Sequence, residues 1–418
     1  MSNREAAAPR RWEVGIEPPT EAEQQPHRDS TQRLPRRGLL AVTCYLCLFF
    51  FALYFGAVSV LLPFLGEAFH LGAAVEGRLF PASSTGFIVG VLLFGFLSDR
   101  WGRKAVLLAG IALYTLGLLL FGLAPSFALA LPASALIGGG GGAMETVASA
   151  LAADLFPERR AFHLNAIQVA FGVGAAFSPY VAQFLLMRGM DWRTLYLGLA
   201  AAEVGLFLLL SVQKVPRAPH ASEAVDFAAL RWVLKQPVFL ALCLAQGLYV
   251  GAEVGFASWL PTYFRTSLPG GMVWSGVVVT LFWIAMTIGR IGVGPLIDRI
   301  PLLRLAILLA LGGVVGSALA MAWTSPWVVL CWVAWTGLCF SGIFGLILAE
   351  VGTLFPKAAG SAFGGIVASG GVGGAIVPWA VALLASTALT WRGALLLIPT
   401  ATAGIVLVLF CIGRTGED

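Results

Sequence analysis

Twelve long apolar stretches, separated by short polar turns, leave this chain few ways to fold; they lie near residues 39–64, 78–97, 104–124, 127–153, 165–187, 193–213, 237–264, 272–296, 304–323, 327–352, 361–385 and 392–412. A helix needs about 20 apolar residues to cross a hydrocarbon layer, and each stretch is that long. Hydrophobic residues make up 59% of the chain and charged residues only 11%, too little polarity to keep such segments soluble one by one. Lipid offers a backbone no hydrogen-bond partners, and the runs are too long and too evenly apolar for barrel strands. The sequence therefore predicts an all-α integral membrane protein with twelve transmembrane helices.

The stretches come in two matching sets of six. Gly95-Phe-Leu-Ser-Asp99-Arg100-Trp-Gly102-Arg103-Lys104 follows the second stretch, and a degenerate copy, Gly294-Pro-Leu-Ile-Asp298-Arg299-Ile-Pro-Leu-Leu-Arg304, starts 199 residues later. The same offset pairs Leu155-Phe156-Pro157 with Leu354-Phe355-Pro356, Gly172 and Gly174 with Gly371 and Gly373, Pro179 with Pro378, and Trp192-Arg193 with Trp391-Arg392. Such a repeat implies duplication, so the chain divides into a disordered tail (1–36), a six-helix bundle (37–213), a linker (214–236), a second six-helix bundle (237–413) and a short tail (414–418). Two related bundles can rock about a site between them and expose it to each side in turn.

Charge sets the expected orientation. Of 26 Lys and Arg, 20 fall in the N-terminal tail, the even-to-odd connections and the C-terminus, against Arg78, Arg188, Arg193, Arg265 and Arg392 near the opposite face. Cations flanking short loops stay on the cytoplasmic side, so both termini are expected there, with the short loops suggesting a bacterial inner (plasma) membrane. This topology accounts for the net charge of +5 without a nucleic-acid partner. The charged segment 1–36 is too long for a signal peptide and precedes no cleavage-like site. All six cysteines lie within the predicted helices, and the Cys44–Cys47 CxxC has no second pair or nearby His, so no metal site is expected. Basic residues interleaved with Phe227, Leu230, Trp232, Val233 and Leu234 in the linker fit an amphipathic helix on the inner leaflet.

Twelve helices in two repeats, with Gly-x-x-x-Asp-Arg-x-Gly-Arg-Lys after the second, resemble the major facilitator superfamily from about Leu39 to Arg414. That resemblance implies the major facilitator fold, with Asp99 steadying the contact between helices two and eleven. Asp99 would face the start of helix eleven near Ser361, where unpaired amides favour an anion. Gly95 would let those two helices approach, and Arg100, Arg103 and Lys104 would hold the loop at anionic headgroups. With Gly102, Arg290, Asp298 and Arg299 these form the expected gating set, weakened in the second copy where Pro301 replaces Gly102. Gly142-Ala143-Met144-Glu145-Thr146, His163-Leu164-Asn165-Ala166-Ile167-Gln168 and Tyr249-Val250-Gly251-Ala252-Glu253 further resemble the sugar:cation symporters typified by fucose and glucose/galactose permeases. Residues 39–64 hold no acidic residue, where the fucose-type members carry one.

Carboxylates inside a bilayer cost a few kcal/mol and mark function by default. Glu145, about two turns from the cytoplasmic end of helix four, is the expected coupling group, able to take up a proton on one side and release it on the other. Asn165, Gln168 and Gly172 fall on one stripe of helix five; their amides could bind sugar hydroxyls, or with Glu145 supply oxygens to sodium, and the choice between proton and sodium stays open. Gln246, Tyr249 and Glu253 share a face of helix seven, while Glu203, among Ala200, Ala201 and Gly205, reads as structural. Trp283 and Trp335 are deep enough in their helices to stack on a sugar ring, whereas Trp274, Trp323 and Trp327 read as interfacial anchors.

The expected function is secondary transport of a small neutral, sugar-like solute, with a proton or sodium ion in place of any cofactor, and with membrane lipids and substrate as partners of a monomer. Export of amphipathic compounds or transport of a monocarboxylate, which Arg290 could serve, is the alternative, and a transport-inactive sensor a remote one. An enzyme is not expected: all four histidines fall in the tail, loops or loop edges, and no HxxxH or DxxD pair lies in a helix.

Overall fold

The computed structural model describes residues 37–216, 231–297, 299–355, 358–387 and 389–415. Among these, twelve helices are long and apolar enough to cross a membrane: α1 (Arg37–Phe69), α2 (Ala73–Ser98), α3 (Arg103–Gly122), α4 (Phe127–Leu155), α5 (Phe162–Met187), α6 (Trp192–Ser211), α7 (Pro237–Ser267), α8 (Gly271–Ile297), α9 (Leu302–Ala322), α10 (Pro326–Leu354), α11 (Ala362–Ala385) and α12 (Trp391–Arg414). Their number is even, so both ends of the helical region lie on one side, called here the terminal face, opposite the far face.

The packing repeats as the sequence does. In the first half α1 packs on α5, α2 on α4, and α3 on α4 and α6; in the second α7 packs on α11, α8 on α10, and α9 on α10 and α12. Between the halves α2 meets α11 and α5 meets α8, contacts that exchange under a two-fold axis, while α1 meets α7 on the axis itself.

Repeat-matched residues perform the same local tasks. Arg193 donates to the Ala124 carbonyl just beyond α3, and Arg392 donates to the Met321 carbonyl at the end of α9, so each cation satisfies an orphan carbonyl of a helix C-terminus. Gly174 brings α5 against α1, where a Cβ would press on the Phe49 carbonyl, and its mate Gly373 brings α11 against α7, where a Cβ would overlap the Gly247 carbonyl. Small residues allow this backbone approach in lipid. Gly373→Val is accordingly expected to overpack that contact and cost about 1–3 kcal/mol, seen as a lower melting temperature of the detergent-solubilised protein; an unchanged melt would show that α7 and α11 can part freely. The Gly138–Gly142 run of α4 serves the same purpose, with Gly138 and Gly142 set against the Ser83 and Phe87 carbonyls of α2.

The turn after α2 departs from expectation. Gly102 has φ of 85°, a left-handed conformation that glycine adopts without strain, and it lets α3 start at once. Arg103 Nε then donates to Asp154 Oδ2 at the end of α4, at 2.5 Å, and Lys104 Nζ donates to the Ser211 and Gln213 carbonyls at 2.7 and 2.6 Å. Both charges are thus used within the first half, one as an ion pair and one at the C-terminus of α6, rather than at lipid headgroups. Arg100 is exposed and lies over the Phe96 ring at 4.4 Å. Gly95 faces Thr146 of α4, not α11; the contact with α11 is made by Ile88 and Leu92 against Gly371 and Gly364. Arg299 is exposed in the turn after α8. Asp298, the linker residues 217–230 and the N-terminal tail lie outside the described residues, as do the side chains of Asp99 and Ser361.

Candidate functional site

Polar side chains from both halves meet at mid-depth. Glu145 projects from α4, and Gln168 of α5 donates its amide to Glu145 Oε1 at 3.0 Å. Across the interface Arg290 of α8 donates to the Gln168 main-chain carbonyl at 3.1 Å. Gly172, one turn further along α5, leaves room for Thr287 of α8; a side chain there would strike its hydroxyl. Arg290 can therefore reach the first half because α5 presents a bare backbone beside it.

The second half completes the row from α7. Tyr249 is fully buried and donates to the Phe340 carbonyl at 2.9 Å, and Glu253 lies one turn on along the same face of α7. Arg290 acts electrostatically on both Glu145 of the first half and Glu253 of the second. Gln246 is fully buried on the same face of α7, and neither amide atom has a hydrogen-bond partner among the described residues.

Aromatic rings cap the row toward the far face. Trp283 of α8 is buried and packs edge-to-face on Phe55 of α1 at 5.9 Å and Phe171 of α5 at 6.0 Å. Beyond it, hydrogen bonds seal the halves: Gln183 donates to the Met272 carbonyl at 3.0 Å, Ser275 donates to Gln183 Oε1 at 2.7 Å, and Thr280 donates to the Ala176 carbonyl at 2.8 Å. Arg265 of α7 pairs with Glu67 of α1 at 2.7 Å at the rim. Among the described residues, Arg290 to Gln168 is the one hydrogen bond between the halves on the terminal side of Trp283. The far side is thus bridged by three hydrogen bonds and an ion pair.

Two expected residues stand apart. Asn165 is exposed near the start of α5, one turn closer to the terminal face than Gln168. Trp335 is 47% exposed and donates its indole N–H to the Gly312 carbonyl of α9 at 3.1 Å, which turns it away from the row. Glu203 is fully buried within the first bundle, both its oxygens without a partner among the described residues. His163, expected at a loop edge, lies within a helix that starts at Arg160; it hydrogen-bonds the Tyr45 hydroxyl and stacks on Phe156.

Sequence reasoning missed Glu76 and Glu350, both buried, and the Glu67–Arg265 pair. Glu67 is an acid on helix one after all, but at its far-face end, since α1 runs five residues past the expected boundary of 64 to Phe69. Glu76 precedes the second apolar stretch and sits in a short helical turn, Ala73–Glu76, that only the structure shows. Glu350 lies in an apolar stretch and was legible by the same criterion as Glu145.

The model of the Major Facilitator Superfamily matches residues 44–378. The human protein spinster homolog 1 is 27% identical over 301 residues, 64% of this chain and 56% of its own length; this chain thus spans little more than half of that relative. The glucose/mannose transporter GlcP of Bacillus subtilis is 25% identical over 77% of this chain and 82% of its own. Among solved structures, the fucose:proton symporter of E. coli superposes with a TM-score of 0.65 at 22% identity, covering 89% of this chain and 98% of its own, a likeness of fold.

Proposed function

We propose, since the chain belongs to the Major Facilitator Superfamily of transporters, that it carries a small, neutral, sugar-like solute across a membrane together with a proton, by exposing its central polar row alternately to the two faces. The observation that carries this reading is the row itself: Glu145 and Gln168 from one half, Arg290 from the other, beside Gln246, Tyr249 and Glu253. It offers acceptors and donors in alternation, and a hydroxyl both donates and accepts. Trp283 beside the row suits the apolar face of a sugar ring. The Bacillus glucose/mannose transporter and the E. coli fucose:proton symporter point the same way.

Glu145 is the coupling group in this reading, because a membrane-buried carboxylate held by one amide can gain and lose a proton as access changes. One chain is the working unit, as it supplies both halves of the row. The terminal face is cytoplasmic, with Arg37, Arg100, Arg159, Arg160, Lys214 and Arg299 gathered there, and the membrane is a plasma membrane. A second reading within the superfamily, transport of a monocarboxylate, rests on Arg290, whose guanidinium could take an anion.

Uptake into proteoliposomes of fucose, galactose, glucose, a polyol, lactate and a cationic dye, under a proton gradient and then a sodium gradient, tests this. Accumulation of one neutral sugar or polyol under the proton gradient is the expected result. Accumulation of lactate alone would favour the monocarboxylate reading, and indifference to every sugar and polyol would sink the substrate assignment.

A further inference from the structure

A cavity of about 420 Å³ opens at the far face between the halves, outside the aromatic cap. Its polar lining comes from Glu67 of α1, Glu76 of α2, Thr262 and Arg265 of α7, with Trp391 of α12 beside them. Glu76 is only 9% exposed, yet no hydrogen bond reaches its carboxyl among the described residues. It rests on the bare backbone of Gly66, where a Cβ would overlap one of its oxygens, so that glycine makes the seat. Thr262 is 8% exposed, and its hydroxyl has no partner either. The remaining polar contact is the one Arg265 makes with Glu67 at 2.7 Å, which ties α7 to α1.

The Glu76 carboxyl opens onto the cavity and the Thr262 hydroxyl lies in its wall, and no hydrogen bond among the described residues occupies either, so a solute seated there meets both. Glu76 can only accept while ionised, Arg265 can only donate, and Thr262 can do both. A ligand that suits all three must donate and accept, which describes a hydroxyl. An ammonium would leave Arg265 unserved, and a carboxylate would meet Glu67 and Glu76. The indole of Trp391 adds a flat apolar face, and the volume lies within the range of small-molecule sites. The Glu67–Arg265 pair at the rim is exposed on the Glu67 side and therefore weak, so a hydroxyl reaching Arg265 can replace it.

We propose that this far-face vestibule binds a hydroxyl-rich, sugar-like solute through Glu76, Thr262, Arg265 and Trp391 before transport, and that the bound solute loosens the Glu67–Arg265 clasp between the halves. It rests on the transport reading above, adding a first stop on the side opposite the termini.

The test uses the full chain in proteoliposomes of defined orientation, and in detergent for equilibrium dialysis, with fucose, galactose, glucose and a polyol as probes. Glu76→Gln and the near-isosteric Thr262→Val are expected to weaken binding and to raise the KM for transport from the far face by about tenfold, leaving kcat within about twofold and the KM from the terminal face unmoved. A purely structural role for these residues would move both faces alike, so equal KM changes on the two sides would overturn the proposal. Uptake of a sugar with unaltered KM in both variants would also overturn it, while the transport reading stood. Glu76-dependent binding in a protein that accumulates none of the probes would uphold the vestibule and end the transport reading. No binding of any probe at up to about 100 mM, far weaker than a useful site, would remove the vestibule outright.

Discussion

Glu145→Gln is expected to abolish uphill accumulation while leaving solute exchange close to wild type. Glutamine keeps the shape and can still bond Gln168 across the 3.0 Å contact, so the local packing of α4 against α5 survives. What it removes is a site that can be charged on one side and neutral on the other. A pH difference of about two units can hold a neutral solute at about a 100-fold ratio when one proton moves with each molecule, since each tenfold step is about 1.4 kcal/mol. In the variant that ratio should fall to about one. Counterflow of labelled solute under no gradient is the control, as it needs binding and reorientation but no net proton movement. Accumulation that survives the substitution would remove Glu145 from coupling and leave Glu253 as the carboxylate to examine.

Arg290→Met should be the second large effect, on both transport and stability. Arg290 crosses from α8 to the Gln168 carbonyl and acts electrostatically on Glu145 and Glu253, so its loss removes a nearby cation from two intramembrane carboxylates. Breaking a fully buried charge set costs about 3–5 kcal/mol; Arg290 is partly exposed, so about 1–3 kcal/mol is expected here. Uptake should be lost as well, because the one hydrogen bond among the described residues that joins the halves on the terminal side goes with it. Adding Glu253→Gln to the same chain should recover most of the melting temperature and none of the uptake, the non-additivity that marks a direct interaction. Strictly additive melts would mean that Arg290 and Glu253 do not share a charge environment.

Much of the central row was readable beforehand. Glu145, Gln168, Gln246, Tyr249 and Glu253 fall at helical spacing on long apolar stretches, and an intramembrane polar group there has few places to go but inward. Asn165 and Trp335 had the same credentials and stand elsewhere, because helical periodicity specifies a stripe and not the neighbour it faces. Trp335 turned to Gly312 of α9, a contact between helices 23 residues apart whose angle no local pattern encodes. Arg103 and Lys104 show the complementary failure: a basic turn reads as lipid-facing until Asp154 and the end of α6 are placed beside it. Glu76 escaped notice because it became buried only when α2 folded back onto Gly66 of α1.

The sequence alone determined that this chain crosses a membrane twelve times, in two copies of one six-helix unit, since lipid permits so few backbone solutions and a duplication leaves its offset in view. It also set the local tasks that repeat, with Gly174 and Gly373 at backbone contacts and Arg193 and Arg392 on helix ends. The tertiary structure decided which polar groups meet: Arg290 with the Gln168 carbonyl of the opposite half, Glu67 with Arg265 at the rim, and Glu76 with Thr262 in one cavity. These pairings join residues far apart in the chain, and in a membrane they depend on how rigid helices dock side by side, a geometry carried by small residues and steric fit that leaves no period in the sequence.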